Sequence, residues 1–323
     1  MGLRNRKILI TGSSGFLGQR LAWTLGKLGA TVFGLDYRED QSNLDDFLLG
    51  DVRDYFTVVR AIAEFKPNII FHLAAITQVV DAKLIPLLTY STNIIGTANV
   101  LEVARTIGAH LDISTIVASS DKAYGRLVTF SDGTPTGRVA NEHTYLNPFH
   151  PYDVSKASAD FIARSYADVY GQKVAITRCG NIYGPGDDNW QRIVPDTIRS
   201  LFEGRPLIIR TDGTQKREYN YVDDIIEAYI LVAVHLDSGG ETGIAWTISD
   251  PNALYSTIEI AELIAVQMGR KLDMEITGGN QSEEQVISLD SSLIREQLGW
   301  KPRYLVSQGI FETVNWIKSV FYD

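Results

Sequence analysis

The chain has 323 residues, a formal net charge of −9, 45% hydrophobic and 21% charged residues, and one cysteine. That length supports a large core and two lobes, while the acidic balance argues against general binding to a phosphate backbone and leaves room only for a local basic pocket. Cys179 alone excludes an intrachain disulfide and a cysteine-rich metal site. The histidines are scattered without ligand-like spacing, so no metal is expected. No apolar run is long enough to span a bilayer, and Met1–Lys7 leads into a strand, not a signal peptide. A cytoplasmic protein without nucleic-acid or membrane partners is the expectation.

In chain order, Ile8-Leu9-Ile10 runs into Thr11-Gly12-Ser13-Ser14-Gly15-Phe16-Leu17-Gly18, and Leu17, Leu21, Leu25 and Leu28 follow on one helical face. That is strand, tight turn, helix N-terminus. The unpaired N–H groups and dipole of such a terminus suit a pyrophosphate. Gly12 lets the chain turn, Gly15 removes a Cβ where phosphate approaches, and Gly18 lets helix pack on strand. Thr31–Asp36 is the next strand, and Asp36 stands where a carboxylate can bind adenosine ribose hydroxyls. The turn therefore predicts a dinucleotide site rather than an ordinary glycine-rich βα connection.

A polar loop over Tyr37–Asp46 precedes a short strand at Phe47–Val52. Asp51 and Val52 either lie beside an adenine or, for Asp51, cap the next helix. Asp54–Phe65 is helical in pattern and Pro67 breaks it. Asn68–Ala75 is a continuous apolar run, as a strand buried on both faces requires, and Leu73, Ala74 and Ala75 end it with little bulk against a cofactor. A long helix over Pro86–Gly108 carries Asn93, and Leu111–Ser120 is a further strand. Arg126–Asn147 is a loop, Pro151–Tyr170 a helix and Val174–Thr177 a strand. The alternation gives an α/β protein with a Rossmann-type, doubly wound parallel sheet.

The pattern changes after Cys179. A loop over Asn181–Arg192, a helix over Val194–Glu203, a strand at Leu207–Ile209, a helix over Tyr221–Val234, a strand at Ile244–Ile248, a helix over Ser256–Met268, a polar loop over Gly278–Glu284 and a last helix from Leu305 to Phe321 make a smaller mixed α/β lobe. Residues 1–178 are thus expected to bind the dinucleotide and 179–323 mainly the substrate, with Tyr221–Val234 and Ile244–Ile248 free to return to the first domain. The ligand belongs between the lobes, beyond the carboxyl ends of the strands.

Tyr152 and Lys156 share one face of a predicted helix. A lysine ammonium near a phenol favours the phenolate, which makes Tyr152 a base near neutral pH. Ser119-Ser120-Asp121-Lys122-Ala123-Tyr124-Gly125 follows a buried strand and places hydroxyls and charges at the carboxyl end of the sheet.

Taken together, the chain resembles the extended short-chain dehydrogenase/reductase superfamily, in its nucleotide-sugar epimerase and dehydratase branch. The likeness rests on the glycine turn, Phe71-His72-Leu73-Ala74-Ala75, Asn93 with Gly96-Thr97, Ser120, Tyr152-Asp153-Val154-Ser155-Lys156, Arg178–Gly186, Arg217 before Tyr221-Val222-Asp223-Asp224, and Leu298–Pro302. It implies NAD held by Gly12, Ser14, Gly15, Phe16, Leu17, Gly18, Asp36, Asp51, Val52, Leu73, Ala74, Ala75, Asn93, Tyr152 and Lys156. It also implies Tyr152 as the base at the sugar 4-hydroxyl, Lys156 on the nicotinamide ribose and Ser120 on the reacting oxygen. Asn181, Arg192 and Arg217 would bind the substrate, a nucleotide-diphosphate sugar. Asp36 favours NAD over NADP, against Arg38 nearby. A homodimer through Pro86–Gly108 and Pro151–Tyr170 is implied.

Asp121-Lys122 discriminates among the reactions of that branch. Epimerases usually carry small or neutral residues after the serine or threonine, whereas dehydratases carry ionisable ones for the elimination across C5 and C6. An Asp-Lys pair resembles the CDP-glucose 4,6-dehydratases and the related dehydratases acting on UDP-N-acetylglucosamine, and other stretches lean towards the CDP-glucose type, in which Asp121 would be the acid at O6 and Lys122 would assist at C5. A 4-epimerase or a UDP-glucuronate decarboxylase using Lys122 or Arg126 is the nearest alternative. A non-catalytic dinucleotide sensor is a third. The stretch also departs from the resemblance at Thr247, where the family commonly has asparagine.

Overall fold

The computed structural model describes residues 2–39, 44–125, 139–278 and 286–323. The first half alternates strand and helix: β1 (Lys7–Thr11), α1 (Phe16–Lys27), β2 (Thr31–Asp36), β3 (Asp46–Leu49), α2 (Tyr55–Phe65) and β4 (Ile69–His72). Next come α3 (Val79–Leu84), α4 (Pro86–Tyr90), a π turn at Ser91–Ile95, α5 (Gly96–Thr106), β5 (Ser114–Ala118), a 3₁₀ turn at Asp121–Tyr124, β6 (Val139–Ala140), α6 (Pro151–Tyr170) and β7 (Lys173–Cys179). The second half holds β8 (Asn181–Tyr183), α7 (Ile193–Glu203), β9 (Leu207–Ile209), β10 (Lys216–Tyr221), α8 (Val222–Asp237) and β11 (Ala245–Ile248). β12 (Leu254–Ser256), α9 (Thr257–Met268), β13 (Met274–Ile276), β14 (Ser288–Leu289), α10 (Ser292–Leu298) and α11 (Val306–Phe321) complete it.

Seven strands form one sheet in the order β11-β7-β5-β4-β1-β2-β3, and every pairing is parallel. Ile69, Ile70 and Phe71 of β4 are fully buried, as helices on both faces of a parallel sheet require. The connection order reverses between β1 and β4. A crevice opens at that switch point because the chains leaving the two strands diverge to opposite faces. β11 is an edge strand of this sheet, and Tyr229 of α8 stacks on Phe71 of β4 with ring centroids 6.4 Å apart. Around the rest of the second half lie β12-β10-β8, β13-β9 and β14-β6.

Several stretches differ from the sequence reading or lie outside what the structure describes. The helix expected over Pro86–Gly108 is broken by the π turn at Ser91–Ile95, within which Asn93 bonds both backbone groups of Ile76. Asn181–Tyr183 is a strand, not loop, because Lys216–Tyr221 forms a strand beside it that the polar sequence concealed. Val79–Leu84 and Ser292–Leu298 are short helices with too few turns to show a period. Of the Arg126–Asn147 and Gly278–Glu284 loops, residues 126–138 and 279–284 lie outside the described residues.

Candidate functional site

At the switch point, Thr11 ends β1 and Gly12 takes φ +75. A Cβ there would stand 2.7 Å from the backbone nitrogen of Ala74, so the ends of β1 and β4 touch only because residue 12 is glycine. A Cβ on Gly18 would meet the Gly12 carbonyl at 2.2 Å, which fixes how closely α1 lies on the turn. His72 locks the same corner. Its imidazole lies between Thr11 Oγ1 at 2.8 Å and Thr97 Oγ1 at 2.9 Å. Burial, with the charge of Lys156 adding to it, drives its pKa down to about 3 and keeps it neutral.

No side chain caps α1. Its first residues, Phe16, Leu17 and Gly18, line a cavity of about 830 Å³ together with Gly12 and Gly15. An uncapped, glycine-rimmed helix N-terminus facing a cavity fits a pyrophosphate. Asp36 accepts the Ser14 N–H on Oδ2 and the Arg38 N–H on Oδ1, each at 3.0 Å, and borders the cavity at the end of β2. Asp51, Val52 and Leu73–Ala75 line the same wall. Asp51 binds Arg53 through its backbone and guanidinium, which holds its carboxyl below the usual range, and Asp54 rather than Asp51 caps α2. Ser14 and Asn93 do not line the cavity. Asn93 reaches it indirectly, by holding Ile76 and Ser155.

Ser120, Asp121, Lys122, Tyr152 and Lys156 all converge on this cavity. Ser120 follows β5 and caps the 3₁₀ turn. Its Oγ donates to Asp121 Oδ1 at 2.8 Å and accepts the Lys122 N–H at 3.2 Å. Pro151 at the start of α6 sets the helix entry, and the next turn carries Lys156 beneath Tyr152. Lys156 Nζ donates to the Ala118 carbonyl at 2.7 Å, and burial lowers its pKa to about 8.

Burial and the groups around it set the ionisation of Tyr152. Burial pushes Tyr152 up to about 12. The Ser120 hydrogen bond is the chief influence in the other direction, with Arg192 helping, while Asp121 and Asp153 oppose ionisation. Lys156 instead points at the end of β5. Spacing on the helix placed the two residues on one face, but it could not show which oxygen the ammonium had found.

On the opposite wall, Asn181 and Arg192 line the cavity and Arg217 does not. Arg192 Nη1 pairs with Asp187 Oδ1 at 3.1 Å, and burial raises the Asp187 carboxyl while Arg192 draws it down. Arg217 is buried on β10, where Nη1 donates to the Lys216 carbonyl at 2.7 Å, and Tyr219 two residues on reaches the cavity. Arg210, Cys179 and Tyr229 also line it and were not singled out from sequence. The motifs containing Arg210 and Cys179 were visible, but their facing depends on long-range pairing of β7 through β10. Burial lifts the Cys179 thiol to about 12, so it stays protonated. Among the described residues no group of histidine, cysteine and acidic side chains is placed to hold a metal.

The family model for the NAD dependent epimerase/dehydratase family matches residues 8–249. The chain belongs to that family. Its cofactor is accordingly NAD, which the glycine-rimmed crevice accommodates. The CDP-glucose 4,6-dehydratase of Salmonella typhimurium is 30% identical over 339 aligned positions, covering 98% of this chain and 91% of that protein. A UDP-glucose 4-epimerase from Mycolicibacterium smegmatis is 27% identical, covering 97% of this chain and 99% of that protein. The solved structure of dTDP-glucose 4,6-dehydratase from Bacillus anthracis in complex with NAD superposes with a TM-score of 0.82 at 27% identity, covering 97% of each chain. Among the described residues, no helix of this family member is long and apolar enough to cross a membrane.

Proposed function

We propose that the protein is an NAD-dependent nucleotide-sugar 4,6-dehydratase that takes a CDP-glucose-like substrate. The observation that carries this reading is the Asp121-Lys122 pair on the turn beside Ser120 and Tyr152, inside the cavity that also holds the glycine turn. The relative named as a CDP-glucose 4,6-dehydratase supports the choice of substrate. NAD, when bound, supplies the hydride acceptor at the sugar C4 and the donor at C6. Tyr152 takes the proton from O4, and Ser120 bonds the same oxygen. Ser120 and Arg192 pull the tyrosine in the direction its phenolate needs. Lys122 then assists at C5, whose proton the C4 ketone makes acidic, and Asp121 in its protonated form gives a proton to the departing O6 so that it leaves as water. Asp36, bordering the adenosine end, disfavours a 2′-phosphate. Asn181, Arg192 and Arg217 hold the substrate; Arg217 does not line the cavity.

Incubation with CDP-, UDP- and dTDP-glucose tests this. A 4-keto-6-deoxy sugar from CDP-glucose is expected, and a 4-epimer as sole product would sink the dehydratase reading. Carbon dioxide from UDP-glucuronate would move the protein to the decarboxylases; of the cations that reaction invokes, Arg126 lies outside the described residues. Assembly as a homodimer is proposed through Pro86–Gly108 and Pro151–Tyr170, where Leu87, Ile95, Phe161 and Val169 are exposed. A monomeric elution volume would refute that contact.

A further inference from the structure

The oxidation and elimination groups are anchored differently. Ser120 and Lys156 are tied to the main sheet: the Ser119 N–H bonds the Thr177 carbonyl at 2.8 Å, and Lys156 Nζ bonds the Ala118 carbonyl. Tyr152 rides on a helix of 20 residues. Asp121 and Lys122 instead sit on a single 3₁₀ turn, Asp121–Tyr124, and Ser120 beside them is the side chain to which Asp121 bonds.

The far end of that turn is held by Tyr124. Its ring is buried, and its hydroxyl donates to the Asn141 carbonyl at 2.9 Å. With that proton committed, the hydroxyl accepts from Arg178 Nη1 at 3.1 Å and from the Thr247 hydroxyl at 3.0 Å. Arg178 is itself immobilised, since Nε and Nη2 grip both oxygens of Asp160 at 2.8 and 3.0 Å, with 1% and 0% of the two side chains exposed. Thr247 is fixed on β11 by a bond from its N–H to Glu142 at 3.0 Å. Gly125 follows at φ +59, and a Cβ there would lie 1.9 Å from the Asn147 carbonyl, so the exit of the turn is pressed against the chain. Neither Tyr124 nor Arg178 borders the cavity.

We propose that Tyr124, held by Arg178 and Thr247, is a positioning residue that aims the Asp121–Lys122 turn and so governs elimination rather than oxidation. The proposal rests on the dehydratase reading of the same site. An elimination needs acid and base aligned with C5 and O6 together, and small displacements of such groups are heavily penalised. Tyr152 on its helix and Lys156 on the Ala118 carbonyl keep their own anchors when Tyr124 loses its hydroxyl.

The test mixes the NAD-loaded enzyme with CDP-glucose. It follows reduced nicotinamide by absorbance and the 4-keto-6-deoxy product by mass. Tyr124→Phe is expected to accumulate reduced nicotinamide and the unreduced 4-ketohexose, with elimination slowed roughly ten- to a hundredfold and KM changed less than about threefold. Thr247→Val shifts the partition the same way by a smaller factor, and Thr247→Ser restores it. The partition ratio does not depend on the fraction of folded enzyme, so loss of stability alone leaves it unmoved. A Tyr124→Phe enzyme with wild-type partition, or with both phases slowed equally, overturns the proposal. Where Tyr124→Phe yields no folded protein, an unchanged partition in Thr247→Val overturns it. Wild-type enzyme that forms only a 4-epimer removes the dehydratase reading itself, and the aiming role with it.

Discussion

The two walls of the cavity are built by different means. The cofactor wall is made of backbone: the Gly12–Gly18 turn, the ends of β1, β2 and β4, and small residues at Ala74 and Ala75. Its geometry follows from sheet pairing and from glycines that bring main chains within contact. The opposite wall is made of side chains on short turns and loops. Asp121 and Lys122 sit on the turn that Tyr124 ties to Thr247 of β11, while Arg192 pairs with Asp187. A wall of backbone resists substitution and tolerates one ligand. A wall of paired side chains can be re-aimed without disturbing the fold, which is how one scaffold hosts several reactions.

The largest expected effect lies where the walls meet. Tyr152→Phe removes the proposed base and keeps the ring, so turnover should fall by about 10³-fold. NAD binding, read by ligand-induced thermal shift, should survive. Loss of both together would show that Tyr152 belongs to the cofactor wall and would erase the distinction.

Next comes Gly18→Ala. The added Cβ would sit 2.2 Å from the Gly12 carbonyl, and the obstacle is backbone that cannot rotate away. We expect destabilisation of about 3 kcal/mol in urea unfolding, with NAD affinity lost in parallel. Asp121→Asn on the other wall keeps the side chain's shape and an oxygen for the Ser120 hydroxyl, so it should cost less than about 1.5 kcal/mol in unfolding while slowing product formation. Equal unfolding curves for the two variants would contradict the contrast.

The same contrast explains what the sequence could reveal. Glycine spacing and the acid at Asp36 are local signals of a local structure, and Gly12, Gly15, Gly18 and Asp36 all line the cavity. The Pro151–Tyr170 helix was legible from end to end because twenty residues repeat a period. The strands Asn181–Tyr183 and Lys216–Tyr221 were not, because each is polar and short and exists by pairing with the other. Arg217 fell on that strand and does not line the cavity, while Arg210 does. Lys156 was found by motif, but its bond to Ala118 links residues 38 apart in sequence, and no pattern encodes that.

Lys156 also gives a pH test. Burial lowers its pKa from 10.5 to about 8, so the unfolded chain binds its proton more tightly than the native state does. Below about pH 8 both states carry the charge and folding bears the full penalty, which relaxes as pH rises towards 10.5. Lys156→Met should therefore abolish turnover yet raise stability at neutral pH by roughly 3 kcal/mol at most. The gain should shrink steadily between pH 8 and 10.5. Urea unfolding at a series of pH values measures it, and a gain that grows with pH would mean that the ammonium stabilises the fold.

The smallest expected effect separates two arginines. Arg192 lines the cavity, pairs with Asp187 and acts on Tyr152. Arg217 is buried and does not line the cavity, and its guanidinium donates to its neighbour's carbonyl. Arg192→Ala should raise KM for the nucleotide sugar about tenfold, corresponding to about 1.4 kcal/mol, and shift the acid limb of the turnover profile to higher pH, because a positive influence on Tyr152 is gone. Arg217→Ala should also raise KM, since it is proposed to hold the diphosphate, but it should leave that limb in place. The pH profile thus distinguishes them where KM does not. An arginine that only binds substrate moves one quantity, whereas an arginine shared between substrate and catalytic tyrosine moves both.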